Sequence, residues 1–215
     1  MTSSPKSKQG SVYVVAAASG TGKTSLVAAL LADHDQAAVS VSHTTRTQRP
    51  NEIDGQHYFF VDRAQFTALL AEGHFIEHAE VFGNLYGTSL QEVHRITETG
   101  QQLILEIDWQ GALQVKQALP AANLIFILPP TLETLRTRLI GRGQDDPETV
   151  ETRYEGAIKE IAQCTAFDFL LINDDFKVAL KDLTTIVFGN SAEYRIETQL
   201  TRHAALIAQL THGHQ

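Results

Sequence analysis

The chain has 215 residues and carries 17 Lys and Arg against 25 Asp and Glu, so its formal net charge is −8 at pH 7. This length accommodates one α/β domain with a sizeable core and excludes two full-sized enzymatic domains. The negative charge excludes general binding to the backbone of nucleic acids, whereas local basic pockets for small anions are compatible with it.

The first nine residues are rich in Ser and Lys and are predicted to form a disordered leader. Lys6 and Lys8 precede an apolar stretch that ends in three alanines, a pattern similar to a secretory signal peptide. We reject that interpretation because cleavage there would remove the first predicted strand, residues 12–16. No stretch approaches the ~20 apolar residues of a membrane span.

The single cysteine, Cys164, excludes an intramolecular disulfide and a multi-cysteine zinc site. This cysteine usage suits a reducing compartment, and a cytoplasmic protein is predicted. We expect Cys164 to be a small helix residue that faces the core.

Residues 17–24 read Ala-Ala-Ser-Gly-Thr-Gly-Lys-Thr and lie between an apolar predicted strand and a predicted helix. This order is typical of a phosphate-binding loop, because glycines let backbone N–H groups surround a phosphate and the helix N-terminus adds partial positive charge. Lys23 then reaches the β- and γ-phosphate oxygens, and the Thr24 hydroxyl is a direct ligand for Mg²⁺. The residues predicted to bind a nucleoside triphosphate are Ala17, Ala18, Ser19, Gly20, Thr21, Gly22, Lys23, Thr24 and Ser25.

The loop departs from the usual pattern at Ala17, where a glycine is expected. A methyl group is tolerated there if the residue keeps a negative φ, and Gly20 and Gly22, which lie nearest the phosphates, are both present. The alternative interpretation is a glycine-rich turn that binds nothing. The Lys-Thr pair at the correct offset favours the phosphate-binding loop.

Apolar segments with strand character recur between amphipathic helical segments. The five predicted core strands are residues 12–16, 37–41, 102–107, 124–128 and 169–172. This alternation predicts an α/β fold with a parallel sheet covered by helices on both faces, and with ligands at the carboxyl ends of the strands.

Glycines separate short aromatic segments between residues 42 and 100, which we interpret as an inserted subdomain. Within it, residues 62–65 have the pattern of a helix capping box. A second irregular patch, residues 141–147, predicts a mobile lid over 138–153. The core is then 10–41, 101–137 and 154–189, and a C-terminal helix is predicted over 190–215.

The inserted segment begins with Arg46 and Arg49 among hydroxyl-bearing residues, and Tyr58 follows after an Asp-Gly turn. Guanidinium groups bind phosphate oxygens in bidentate fashion and a phenol adds a neutral donor, so this cluster predicts a site for the phosphate of a second substrate. A solvated charged loop is the alternative for either arginine alone.

Taken together, these motifs closely resemble the guanylate kinases, enzymes that transfer a phosphoryl group from ATP to GMP. The resemblance extends over 10–189, and the helical tail resembles that of bacterial members. The segments that carry it are Ser-Gly-Thr-Gly-Lys-Thr at 19–24, Ser-His-Thr-Thr-Arg-Thr-Gln-Arg at 42–49, Gly55 with Tyr58, Phe-Ile-Glu at 75–77, Gly-Asn-Leu-Tyr-Gly-Thr at 83–88, Glu-Ile-Asp-Trp-Gln-Gly at 106–111, Arg138 to Gly143, and Ile-Asn-Asp-Asp at 172–175.

The resemblance implies two groups of residues around GMP. Those expected at its phosphate are Arg46, Arg49, Tyr58 and Tyr86. Those expected around guanine are Ser42, Glu77 and Thr88, the last standing where the family commonly has serine. A carboxylate accepts from both N1–H and the N2 amino group of guanine, a pair of donors that adenine lacks, so Glu77 would discriminate between the bases.

The resemblance also implies groups around the reacting phosphates. Glu106 and Asp108 are expected on the GMP side of the transfer, with Asp108 orienting the metal ion through water, and some members have Asp at the position of Glu106. The lid arginines, Arg138, Arg142 and Arg153, are expected to bring positive charge to the largely dissociative transition state of phosphoryl transfer. Their alternative role is to form exposed i,i+4 ion pairs on helices. The expected catalytic cations are Lys23, Arg46, Arg142 and Arg153. The further ATP ligands expected are Arg138, Arg142 and Asn173.

The predicted fold is therefore a P-loop three-layer α/β/α domain with a parallel core sheet, an inserted GMP-binding subdomain and a small mobile lid. The predicted cofactor is Mg²⁺ and the predicted partners are ATP and GMP, without nucleic acid or membrane; a homodimer is left open. One alternative is a P-loop kinase with another acceptor, which the predicted guanine pocket disfavours. The other is a catalytically silent scaffold, which the intact Lys23 and Thr24 disfavour.

Overall fold

The computed structural model describes residues 9–81, 83–141 and 147–212. Within them, the strands are β1 Val12–Ala17, β2 Ala37–Val39, β3 His43–Thr44, β4 Phe59–Phe60, β5 Phe75–Val81, β6 Asn84–Ser89, β7 Gln102–Glu106, β8 Asn123–Leu128 and β9 Phe169–Ile172. All five predicted core strands form, as β1, β2, β7, β8 and β9, so these predictions are confirmed.

Helices alternate with the strands along the chain. They are α1 Lys23–Asp33, α2 Arg63–Ala71, α3 Leu90–Thr97, α4 Trp109–Ala118, α5 Leu132–Ile140, α6 Pro147–Ile161, α7 Phe176–Phe188, α8 Ile196–Arg202 and α9 Ala204–His212. No helix in the described ranges is both long enough and apolar enough to span a membrane.

The larger sheet has five strands in the order β2-β7-β1-β8-β9, flanked by helices. The pairs β2–β7, β1–β8 and β8–β9 are parallel. In β8, every residue from Leu124 to Leu128 is at most 1% exposed. Helices on both faces explain this burial and the continuous apolar sequence of the strand. The α/β class predicted from the sequence is confirmed.

The smaller sheet has the order β4-β3-β6-β5. Strand β3 pairs with β4 in parallel and with β6 in antiparallel orientation, and β5 and β6 are antiparallel. A register shift lies between Phe75 and Glu77 in β5, and it brings Glu77 opposite Thr88 of β6. This sheet therefore places two of the predicted guanine neighbours side by side.

The described chain forms two compact units. The first contains Asp35–Leu105 and Gln110–Ala122, together with the described residues up to Val12. The second contains Tyr13–His34, Glu106–Trp109 and the described residues from Asn123 onward. The predicted insert, 42–100, lies within the first unit. The described ends of the predicted lid, 138–153, lie within the second.

The capping box predicted at residues 62–65 is confirmed. The Asp62 carboxylate accepts from the Gln65 backbone N–H at 2.7 Å, and the Gln65 side chain accepts from the Asp62 backbone N–H at 2.9 Å. Two backbone donors at the start of α2 are thereby satisfied, which fixes where the helix begins.

Cys164 is 0% exposed and begins a short 3₁₀ helix, Cys164–Ala166. Its predicted burial is confirmed. Burial raises the pKa of its thiol to about 11. The thiol is therefore protonated at neutral pH.

The tail differs in detail from the single helix predicted over 190–215. A 3₁₀ turn, Ala192–Tyr194, precedes α8, and His203 separates α8 from α9. The backbone of His203, at φ −117° and ψ 26°, departs from helical geometry, which is why the helix ends there. Residues 1–8, most of the predicted leader, and 213–215 lie outside the described residues.

Candidate active site

The loop between β1 and α1 has the backbone that the glycine pattern predicts. Gly20 and Gly22 have φ of +89° and +92°, a left-handed conformation that favours glycine. A Cβ atom at Gly22 would lie 2.6 Å from Nδ2 of Asn173. Ala17, by contrast, is the last residue of β1 and has extended backbone, so the missing glycine imposes no strain there.

The N-terminus of α1 is open to an anion. Gly22 precedes the helix and supplies no side-chain cap. The first backbone N–H groups of a helix have no partner within it, and the helix dipole adds partial positive charge. The loop therefore presents donors suited to a phosphate group.

A cavity of about 350 Å³ lies over this loop. The Lys23 ammonium donates to the backbone carbonyl of Ile107 at 2.8 Å, and the Thr24 hydroxyl donates to the Glu106 carboxylate. The residues that line the cavity are Ala17, Ala18, Ser19, Gly20, Gly22, Lys23, Thr24, Ser25, Glu106, Asp108 and Glu160. Eight of the nine predicted loop residues thus line it, together with both predicted carboxylates.

The charges around this cavity oppose one another. Desolvation lowers the pKa of the Lys23 ammonium, and the nearby Glu106, Asp108 and Glu160 carboxylates act in the opposite direction. Desolvation raises the pKa of Glu160, and the nearby Ser19 backbone N–H and Lys23 act in the opposite direction. Lys23 therefore faces carboxylates that partly balance its charge.

Arg138 and Asn173 form hydrogen bonds that support the loop between β1 and α1. The Asn173 amide donates to the Thr21 carbonyl at 2.6 Å, and Asn173 is 4% exposed. Arg138, near the end of α5, donates to the Asn173 carbonyl at 3.1 Å and to the Thr21 carbonyl at 3.5 Å. Both predicted ATP ligands thus contact the phosphate loop through its backbone.

Of the two other predicted lid arginines, Arg153 lies within the described residues and Arg142 does not. Arg153 is half-buried on α6, the helix that also carries Glu160. Residues seven positions apart share a face of a helix, so Arg153 and Glu160 lie along one side of α6. Arg142 lies outside the described residues.

The predicted guanine neighbours lie together in the first unit. Glu77 and Thr88 are 5% and 0% exposed and face each other across β5 and β6. The Ser42 hydroxyl lies 3.4 Å from the Thr88 hydroxyl. One carboxylate and two hydroxyls are therefore gathered at one end of the smaller sheet.

The predicted phosphate ligands of GMP surround the Arg46 guanidinium. It lies 5.4 Å from the centre of the Tyr58 ring and donates to the Glu52 carboxylate at 2.6 Å, and Glu52 and, after it, Tyr86 raise its pKa. The Tyr58 and Tyr86 rings are 6.1 Å apart. Arg49 is exposed on the same loop. The Arg46, Tyr58 and Tyr86 side chains are thus grouped, with Glu52 as an acidic neighbour.

Sequence reasoning missed Glu52 and Glu160. Glu52 follows Arg49 by three residues in a turn, a spacing that gives weak evidence of contact outside a helix. Glu160 follows Arg153 by seven residues, which was the available sign that one helix face carries both charges. Both residues lie outside the segments that carry the family resemblance.

The chain is similar to known proteins over most of its length. The protein-family model for guanylate kinase matches residues 9–190. The chain is 51% identical over 205 residues to the guanylate kinase of Thiobacillus denitrificans, which covers 95% of this chain and 97% of that protein. It is 47% identical over 204 residues to the guanylate kinase of Escherichia coli strain K12, covering 94% and 98%.

A solved structure is similar as well. The crystal structure of guanylate kinase from Anaplasma phagocytophilum aligns with a TM-score of 0.65 and 34% identity. The alignment covers 84% of this chain and 85% of that one.

Proposed function

The chain belongs to the guanylate kinase family and is an ATP:GMP phosphotransferase, and we propose here which of its residues carry the reaction. Its products are ADP and GDP. The observation that carries the assignment of residues is the buried Glu77 beside the Thr88 and Ser42 hydroxyls, since this set matches the hydrogen-bonding edge of guanine.

The guanine edge has two adjacent donors and one carbonyl acceptor. The Glu77 carboxylate accepts from N1–H and from the N2 amino group, and the hydroxyls of Thr88 and Ser42 provide donors for O6 or N7. Glu77 is almost fully buried, so a base that presents an acceptor such as N1 of adenine in place of these donors would be repelled by its carboxylate in a poorly solvated site. This pocket selects GMP over AMP.

The phosphate of GMP is bound by the cluster around Arg46. Arg46 and Arg49 supply guanidinium donors, and the Tyr58 and Tyr86 phenols supply neutral ones. The aromatic faces beside Arg46 limit its rotamers and keep its charge near the phosphate. Binding in this cluster orients the phosphate oxygen that attacks ATP.

The phosphates of ATP are bound by the loop between β1 and α1. Its backbone N–H groups surround the β-phosphate, and Lys23 leaves the Ile107 carbonyl to bind the β- and γ-phosphate oxygens. Arg138, Arg142 and Arg153 add positive charge around the transferring group, and Asn173 belongs to the adenine side. Phosphoryl transfer is accelerated mainly by such positioning and electrostatic stabilisation, so no covalent protein intermediate is required.

The oxygen donors beside Lys23 suit Mg²⁺. The Thr24 hydroxyl donates a hydrogen bond to the Glu106 carboxylate, so its oxygen lone pairs can bind a cation, and Asp108 lines the same cavity. Mg²⁺ is usually held by one or two protein oxygens together with substrate phosphates and water. We assign Thr24 as the direct ligand and Asp108 as a ligand through water. The ion would neutralise charge on the phosphates during transfer.

Closure of the lid over 138–153 and of the inserted subdomain stays a prediction. It would exclude water and protect ATP from hydrolysis until GMP is bound. Small-angle scattering with and without both nucleotides tests it, and an unchanged profile would contradict closure. The cytoplasmic location also stays a prediction, and a homodimer is left open as before.

The first experiment is a coupled ADP-release assay with Mg-ATP and, in parallel, GMP, dGMP, AMP, CMP and UMP. We expect turnover only with guanine acceptors, and none with EDTA. Turnover with a different acceptor would overturn the base assignment of Glu77. Turnover that persists in EDTA would overturn the assignment of Mg²⁺.

A further inference from the structure

The loop that carries Arg46 and Arg49 folds around Glu52. We infer that Glu52 is a positioning residue for the acceptor phosphate, holding the Arg46 guanidinium and the Arg49 backbone in the arrangement that receives GMP. This inference rests on the proposed role of Arg46 as a ligand of the GMP phosphate. It concerns a residue outside the motifs discussed above.

Both carboxylate oxygens of Glu52 are used, and each has a different donor. Oε1 accepts from Nη2 of Arg46 at 2.6 Å, and Oε2 accepts from the backbone N–H of Arg49 at 2.8 Å. The Glu52 backbone N–H donates in turn to the Arg49 carbonyl at 3.0 Å. One side chain thus links the two predicted phosphate ligands, one through its guanidinium and the other through its backbone.

A further contact closes the same loop. The Gln48 side-chain amide donates to the Glu52 carbonyl at 2.6 Å. Glu52 is therefore bound through its carboxylate, its backbone N–H and its backbone carbonyl. A group held at so many points is part of the loop's framework, whereas a mobile side chain that only neutralised Arg46 would need a single contact.

The ion pair is shielded from solvent. The side chains of Arg46 and Glu52 are 17% and 15% exposed. In the same unit, Arg63 and Glu80 form a pair at 3.3 Å with side chains that are 60% and 52% exposed. Exposed pairs of that kind contribute little, because water screens the charges and both side chains lose entropy. Of these two ion pairs, the less exposed Arg46–Glu52 pair is the one that can hold its side chains in a fixed geometry.

Arg46 keeps donors for a phosphate while bound to Glu52. One Nη1 hydrogen is donated to the Thr47 carbonyl at 2.8 Å, and one Nη2 hydrogen is donated to the Glu52 carboxylate at 2.6 Å. A guanidinium has five N–H donors. The hydrogen bonds to Thr47 and Glu52 use two of these five, so the same guanidinium can also donate to a phosphate. Glu52 can stay in place when the phosphate binds.

The opposite role for Glu52 would be that of an internal competitor that occupies the phosphate site. A competitor would leave when GMP binds, and its removal would strengthen GMP binding. A positioning residue stays, and its removal weakens GMP binding because Arg46 must then be ordered by the substrate itself. The two roles predict opposite signs, so one measurement separates them.

The test is steady-state kinetics of Glu52→Ala and Glu52→Gln with GMP and ATP varied in turn. For Glu52→Ala we expect the GMP KM to rise about tenfold, the effect of losing one charge-assisted hydrogen bond, while the ATP KM stays unchanged. Glu52→Gln keeps an oxygen acceptor for Arg46 and should lie between Glu52→Ala and the parent chain. Glu80→Gln, which breaks the exposed pair, is the matched control and should change neither KM.

Chemical rescue gives a second readout that a purely structural role would not move. Sodium acetate should restore part of the GMP KM of Glu52→Ala, because a free carboxylate can take the place of the lost one, whereas sodium chloride at equal ionic strength should not. Urea unfolding of each variant establishes that the protein is folded. If Glu52→Ala does not fold, the milder Glu52→Gln carries the KM comparison.

The reference variant is Arg46→Lys, because it tests the proposed phosphate site separately from the role of Glu52. A raised GMP KM in Arg46→Lys with a normal GMP KM in both Glu52 variants would overturn the role of Glu52 and leave the proposed function standing. A normal GMP KM in Arg46→Lys would overturn the proposed phosphate site itself. A lowered GMP KM in Glu52→Ala would identify a competitor and overturn positioning.

Discussion

The side-chain amide of Asn173 donates to the backbone carbonyl of Thr21 at 2.6 Å, across 152 positions of the sequence. Asn173 follows β9, and Thr21 is the middle of the phosphate loop. Both residues are at most 4% exposed. This contact holds the loop in place at Thr21, between Gly20 and Gly22. The backbone N–H groups there must remain available to bind a phosphate.

Asn173→Ala should destabilise the protein and weaken ATP binding. Removal of the amide takes the close donor at 2.6 Å away from the buried Thr21 carbonyl, which costs about 1–3 kcal/mol in the free energy of unfolding. Urea unfolding measures this cost, and the ATP KM should rise while the GMP KM does not. Asn51→Ala, at an exposed position of the first unit, is the control. Equal stability of the two variants would contradict a role for the contact.

Lys23→Ala should abolish most turnover in a folded protein. Loss of one preorganised cation at the transferring phosphoryl group typically lowers kcat about 10²–10³-fold. The ADP-release assay measures the rate, and Lys181→Ala, an exposed lysine on α7, controls for the loss of a positive charge. Turnover of Lys23→Ala close to that of the control would remove the loop from the chemistry.

Glu77→Ala should change the acceptor site alone. Guanine would lose its charged acceptor, a loss of about 2 kcal/mol that corresponds to a roughly 30-fold rise in the GMP KM. The ATP KM should stay as it is. Glu80→Ala changes an exposed glutamate of the same strand and serves as the control. GMP kinetics that match this control would exclude Glu77 from base recognition.

Glu92→Gln should destabilise the protein in a pH-dependent way. Glu92 is 5% exposed and accepts from Arg95 at 2.7 Å and 2.9 Å and from the Val41 backbone N–H at 3.0 Å. The hydrogen bonds from Arg95, and then that from Val41, lower the pKa of this carboxyl against its desolvation. The unfolded chain therefore binds more protons than the folded one between the lowered and the ordinary pKa, and stability is lost as pH falls through that window.

At about pH 7 the charged Glu92 contributes fully, so Glu92→Gln should cost about 1.5–3 kcal/mol in urea unfolding. The difference should shrink as pH falls below the lowered pKa, where the parent carboxyl is protonated too. Glu72→Gln, an exposed glutamate in the same unit, is the control. A cost that is independent of pH would show that shape rather than charge matters at this position.

Glu160→Gln should show the opposite pH dependence. Desolvation raises the pKa of Glu160, so the folded chain binds the additional proton and its stability falls as pH rises from the ordinary to the raised pKa. The neutral amide avoids that loss, and Glu160→Gln should be the more stable protein at neutral pH without nucleotide. Thermal unfolding across this range measures it, with the exposed Glu155→Gln of the same helix as control. A lower melting temperature of Glu160→Gln at neutral pH would contradict it.

The elements that the sequence predicted are those with a local signal. The core strands are continuous apolar segments, and the capping box at Asp62 needs only four residues to be recognised. The pairings of the smaller sheet were not predicted, since β3 and β4 are two residues long and too short for any periodicity. Their partners are set by the strands that surround them.

The candidate site divides in the same way. The loop glycines and Lys23 were predicted because the spacing of these residues is what allows the loop to bind a phosphate. The contact of Asn173 with Thr21, and that of Glu52 with Arg46, depend on how distant or irregular segments fold, and a carboxylate in a loop has many equally plausible partners until that fold is known. Which charged groups of the candidate site balance each other can therefore be determined only from the folded chain.

Cys164 is the single cysteine of the chain, and it is fully buried with a thiol that is protonated at neutral pH. A protonated, inaccessible thiol reacts slowly with maleimides and oxidants. The natural chain should therefore show little unwanted labelling at Cys164 when another cysteine is labelled. A cysteine introduced at any exposed position can carry a fluorophore or spin label without prior removal of the native one, which makes nucleotide-dependent distance measurements practicable on an otherwise unaltered enzyme.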